Sequence, residues 1–99
     1  MIETMPGASV AGTARNYLEP LAEMLSERGF LVRVTRIGEG PNFIEVINRD
    51  APELAESIFA ARVDREWWFW WSWAERIAPV AEIELAAGKI AHVLASAAV

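Results

Sequence analysis

The sequence has no cysteine, a single histidine and no long uninterrupted apolar run. Lacking cysteine, the chain has no disulfide, no thiolate nucleophile and none of the commonest structural zinc sites, so its stability has to come from packing. Met1-Ile2-Glu3-Thr4-Met5-Pro6 carries no basic segment leading into an apolar stretch, so no signal peptide is expected. The longest aromatic run is far below the roughly 20 residues that span a bilayer. Basic residues are scarce as well, nine against 14 acidic ones, and the formal charge of −5 works against contact with phosphate backbones or anionic lipid. These absences point to a cytoplasmic protein whose partner is neither nucleic acid nor membrane.

Catalytic groups are equally thin. His92 has Glu84 and Lys89 nearby in sequence, but a lone surface histidine is seldom a general base. Glu82 and Glu84 fall on different sides of a helix and cannot work as a carboxylate pair, and Ser72 has no evident base. Gly38-Glu39-Gly40-Pro41 contains proline and leads into a strand, where a phosphate loop needs a helix N-terminus. No catalytic residue, metal or cofactor is expected, and the chain reads as a non-enzyme.

What is abundant is apolar and aromatic: 54% of the 99 residues are hydrophobic, and all five tryptophans fall in Trp67-Trp68-Phe69-Trp70-Trp71-Ser72-Trp73. Such a chain folds as one domain with one layer of helices on a sheet. Residues 1–8, with Pro6 and Gly7, read as a tail and 9–99 as the domain. From Val10, the residues Ala14, Tyr17, Leu18, Leu21, Met24 and Leu25 recur at helical spacing opposite Glu19, Glu23 and Glu27, with Pro20 predicting a kink and Gly29 a C-terminal cap. Phe30–Ile37 and Phe43–Asn48 predict two strands around the turn formers Gly38–Asn42. The segment 48–53 reads as a loop or one helical turn, in which Asp50 can cap and Pro52 suits a first-turn position. Ser57–Val63 is a third strand candidate, against which a helix over 51–62 stands as the alternative, and Asp64-Arg65 is the turn into the tryptophan strand. After Pro79 a second helix carries the stripe Val80, Ile83, Ala86, Ala87, Ile90, Val93, Leu94 and Ala97, in which Gly88 suggests close approach to the sheet. The expected fold is α+β, ordered α-β-β-β-β-α: a four-stranded antiparallel meander with both helices on one face.

In a strand the tryptophans divide by parity. Trp67, Phe69, Trp71 and Trp73 form a row that carries on to Ile77 and is assigned to the helix side; Trp68, Trp70 and Ser72 point the other way. Likewise Phe30, Val32 and Val34 oppose Leu31, Arg33, Thr35 and Ile37, while Ile44 and Val46 oppose Phe43, Glu45 and Ile47. The outer face then offers Trp68, Trp70, Ser72, Arg33, Thr35, Glu45 and Phe43 as interface or ligand-binding residues. Its apolar patch would measure about 400–600 Å², near the ceiling for an ordinary monomer, and doubling it across a two-fold axis gives about 1,000 Å², enough for a specific interface. Arg33 or Arg62 could stack on opposing rings. Three readings follow: a self-association or protein-partner surface, the leading one; core filler, with the second face covered by the tail or the 48–56 loop; and a platform on which paired indoles stack on a sugar, nucleobase or quaternary ammonium group.

The run Glu66-Trp67-Trp68-Phe69-Trp70-Trp71-Ser72-Trp73, with Glu75–Pro79 and the closing Lys89-Ile90-Ala91-His92-Val93-Leu94, resembles small proteins of about this length found widely in high-GC actinobacteria. The likeness covers roughly residues 13 to 96 and implies a bacterial intracellular setting; it lends no catalytic residues. The order of elements is also loosely similar to type III secretion chaperones, which dimerise and bind partner proteins, although an internal helix and a strand are missing here.

Overall fold

The computed structural model describes residues 6–36 and 42–96. Helix α1 (Pro6–Glu27) is followed by strands β1 (Leu31–Arg36), β2 (Asn42–Ile47), β3 (Ala55–Val63), β4 (Glu66–Trp71) and β5 (Arg76–Pro79), and helix α2 (Ile83–Ser96) closes the order. The strands form one antiparallel sheet in sequence order, so the fold is an α+β meander of five strands where four were expected.

The start of α1 corrects the tail reading: Pro6, whose missing N–H costs nothing at a helix start, is its first residue, and the helix runs unbroken through Pro20. Residues 1–5 lie outside the described residues. The far end is closed by a Schellman motif. Gly29, at φ 100°, donates to the Ser26 carbonyl at 3.0 Å and Phe30 to that of Leu25 at 3.1 Å. The chain thereby leaves the helix with Phe30 buried and enters β1 directly.

The 55–63 segment is a strand. Its helical alternative fails because Ile58 and Ala60 face Trp71 and Phe69 of β4, while Phe59 and Ala61 face Trp70 and Trp68. Continuous antiparallel pairing with a long aromatic partner outweighs the indifferent local propensity of two alanines. Asp64, at φ 57°, makes the expected turn with Arg65. The connection from β2 to β3 turns on Asn48 rather than Asp50. Asn48 Oδ1 accepts from the amides of Asp50 (2.8 Å) and Ala51 (3.1 Å), and its Nδ2 donates to the Leu94 carbonyl at 3.0 Å. One side chain thus shapes the turn and satisfies a carbonyl in the last turn of α2. Asn48→Asp keeps the two turn bonds and loses only the donor, an expected cost of about 1 kcal/mol, and Asn48→Ala about 2 kcal/mol. Urea titration measures both; equal losses would mean that the bond to Leu94 contributes nothing.

The fifth strand arises because the tryptophan run does not stay extended to Ile77. The chain reverses after Trp71: the Ala74 amide donates to the Trp71 carbonyl at 3.0 Å, and the Trp71 amide to that of Glu75 at 2.8 Å. Trp73, expected under the helices, stands in this turn, 49% exposed and stacked on Trp71 with ring centroids 4.9 Å apart. Ser72 is in the same turn. Ala74 has φ 68°, a left-handed conformation that penalises a Cβ. Ala74→Gly should therefore raise the melting temperature, by the equivalent of up to about 1 kcal/mol; a fall in thermal denaturation would contradict the strain.

The register between β4 and β5 shifts at Phe69/Trp70, pairing Phe69 with Ala78 and Trp70 with Arg76. Ile77 is the extra residue of this bulge, which lets both Ile77 and Ala78 be buried. Lys89 of α2 donates from Nζ to the Ile77 carbonyl at 2.9 Å.

Both helices cover the same sheet face. Leu18, Leu21 and Leu25 of α1 and Ala86, Ala87, Ile90 and Leu94 of α2 join Ile44, Val46, Ile58, Phe69, Trp71 and Ile77 in one buried cluster. Half-buried Trp67 packs on Tyr17, centroids 5.3 Å apart. Val93 and Val34, assigned to apolar rows, remain 39% and 46% exposed; Ala97, Ile37 and the turn at 38–41 lie outside the described residues.

Candidate functional site

The opposite sheet face is built from the alternate residues of each strand. Register carries one row straight across all five strands: Thr35, Phe43, Phe59, Trp70 and Arg76. On one side of it lies the row Arg33, Glu45 and Ser57, then Leu31, Ile47 and Ala55; on the other lie Ala61, Trp68 and Pro79. Among the described residues no helix packs on this face.

Of the seven residues assigned to this surface from the sequence, the sheet brings six together: Arg33, Thr35, Phe43, Glu45, Trp68 and Trp70. Ser72 is not among them, because β4 ends at Trp71 and Ser72 belongs to the exposed turn. Phe59, at the centre of the aromatic row, was missed, although the alternation Ser57, Phe59, Ala61 against Ile58 and Ala60 would have identified it. Arg76 was missed because β5 was.

The rings partly cover one another. Phe43 and Phe59 are tilted with centroids 5.1 Å apart, the Arg76 guanidinium carbon lies 4.8 Å from the Trp68 ring centroid, and Trp70 Nε1 donates to the Ala61 carbonyl at 3.2 Å. Trp68 and Trp70 are consequently half-buried, and among the described large apolar residues of this face only Leu31 is exposed. Arg33 and Glu45 stand directly opposite each other in the β1–β2 register without forming an ion pair. The surface is an apolar band with Arg33, Arg76, Glu45 and Glu66 around it.

The 48–54 connection does not cover this face, since its Asn48 bonds to Leu94 on the helix side and Leu54 packs against the core cluster. His92, with Glu84 and Lys89, belongs to α2 in the helix layer. Among the described residues no group of three or more His, Asp or Glu is arranged to hold a metal ion, and no helix is long and apolar enough to cross a membrane. No family model matches the chain, and no curated protein and no solved structure is significantly similar to it.

Proposed function

We propose that this chain is a non-enzymatic interaction module that forms a homodimer by packing the outer faces of two sheets together. The observation that carries this reading is the unbroken row Phe43, Phe59 and Trp70 on a face that no described helix covers. Five strands at about 4.8 Å spacing and six residues at about 3.3 Å rise give a flat footprint near 24 by 20 Å, roughly 480 Å² per copy before side-chain relief is counted. Two such faces in contact bury on the order of 1,000 Å² or more, the lower bound of a specific interface.

Charge is compatible with a second copy: the face carries both signs in balance, Arg33 and Arg76 against Glu45 and Glu66, and so does not repel its own kind. The stacking-platform alternative is weaker on this surface. One face of Trp68 is already taken by Arg76, and the Trp70 N–H is spent on Ala61.

Sedimentation velocity over a concentration series tests the reading. A dimer that dissociates in the micromolar range or below is expected; a strictly monomeric chain at millimolar concentration sinks it.

A further inference from the structure

Gly88 stands in the middle of α2, where glycine costs about 1 kcal/mol relative to alanine. Close approach to the sheet does not account for it. A Cβ placed at Gly88 would meet only Nη1 of Arg28, at 4.0 Å, an ordinary contact, and its backbone is not left-handed. Alanine would fit there without displacing anything, so the fold gives no reason for the glycine.

What Gly88 does is deepen a groove. An open groove of about 480 Å³ lies between α2 and the β4–β5 hairpin, with Trp71, Leu85 and Val93 as apolar walls and Glu75, Arg76, Glu84, Lys89 and His92 as polar ones; Arg28 stands beside it, next to Gly88. Its size falls within the range of small-molecule sites, about 300–1,000 Å³. Leu85 and Val93 are two of the few large apolar side chains left exposed, 45% and 39%, and they stand two helical turns apart with Gly88 between them.

The charges at the glycine are unspent. Arg28 forms no ion pair, and Lys89 uses one of its three N–H donors on the Ile77 carbonyl, leaving two. Glu75, also on the rim, already accepts from Trp73 Nε1 at 2.9 Å, whereas Glu84, one turn toward the helix start, repels a second negative charge. From these observations we infer that the groove binds a small amphipathic monocarboxylate. Its carboxylate lies over Gly88 between Arg28 and Lys89, and its apolar body lies along Leu85, Val93 and the Trp71 indole. This site lies on the α2 side of the β4–β5 hairpin, shares only Arg76 with the outer face, and does not depend on the outer-face dimer.

Titration with phenylacetate, followed by calorimetry and by amide and indole NMR shifts, tests the assignment. Saturable shifts are expected at Gly88, Lys89, His92 and the Trp71 indole, with binding of the neutral phenylacetamide weaker by roughly tenfold, the equivalent of 1.4 kcal/mol. Gly88→Ala should raise the melting temperature and weaken binding together, an opposition that a purely structural glycine would not produce. Gly88→Leu should abolish binding, and Arg28→Gln should weaken it without loss of fold. The proposal is overturned if no saturable shift appears, if the amide binds as well as the acid, if Gly88→Leu leaves binding intact, or if the shifts fall on Trp68 and Trp70.

Discussion

Phe69→Ala is expected to destabilise the domain by about 3–5 kcal/mol, the range for truncating a buried phenylalanine. Phe69 is 1% exposed and is the largest of the fully buried side chains. Its cross-strand neighbours are Ala60 on β3 and Ala78 on β5, so the ring occupies space that both flanking strands leave open. Removing it puts three alanines in a row across the centre of the sheet, with no larger neighbour in that row to relax into the void. A domain of this size has roughly 5–15 kcal/mol in all, and each kcal/mol moves its melting temperature by about 4–8 °C. Calorimetry should therefore find the transition lowered by some tens of degrees or lost; a shift of only a few degrees would show that the core collapses around the site.

The next residue along the chain is expected to behave oppositely. Trp68 and Trp70 lie on the outer face, and the double variant Trp68→Ala/Trp70→Ala should leave the melting transition of the monomer nearly in place while weakening self-association by two orders of magnitude or more. Interface tryptophans commonly contribute about 2 kcal/mol or more each to an association free energy. Light scattering at fixed concentration, read beside far-ultraviolet circular dichroism, separates the two effects. If the double variant unfolds, the two indoles belong to the fold rather than to an interface; if it folds and associates like the parent chain, the dimer forms elsewhere.

That contrast between neighbours was legible in the sequence because parity is a rigid property of a strand. The rows Phe69/Trp71 and Trp68/Trp70 were separated correctly, as were Ile44/Val46 from Phe43/Glu45 and Val32/Val34 from Arg33/Thr35. Parity is also why the errors occurred where they did. Extending the row beyond Trp71 placed Trp73 and Ser72 on a strand that had already ended, since nothing in Ser72-Trp73-Ala74-Glu75 resembles a turn: the left-handed residue is an alanine rather than glycine or asparagine. β5 stayed hidden for a related reason. It has four residues, and its bulge buries Ile77 and Ala78 in succession, erasing the alternation by which a strand is recognised. Long-range bonds left no trace either. Asn48 reaches an atom 46 residues away, and an asparagine in a polar loop looks the same whether or not it does so.

The carbonyl of Ile77 bound by Lys89 has a consequence for how copies of this chain can add to one another. An open sheet has two edges, and head-to-tail growth into a filament requires the last strand of one copy to accept the first strand of the next. Here the last strand is four residues long, is broken by a bulge, ends in Pro79 with no N–H to give, and has one of its carbonyls engaged by a lysine. Only the β1 edge is regular along its length. Edge pairing is thereby limited to β1 against β1, an arrangement that by itself closes at two copies, so head-to-tail growth through sheet edges alone has no second edge on which to continue.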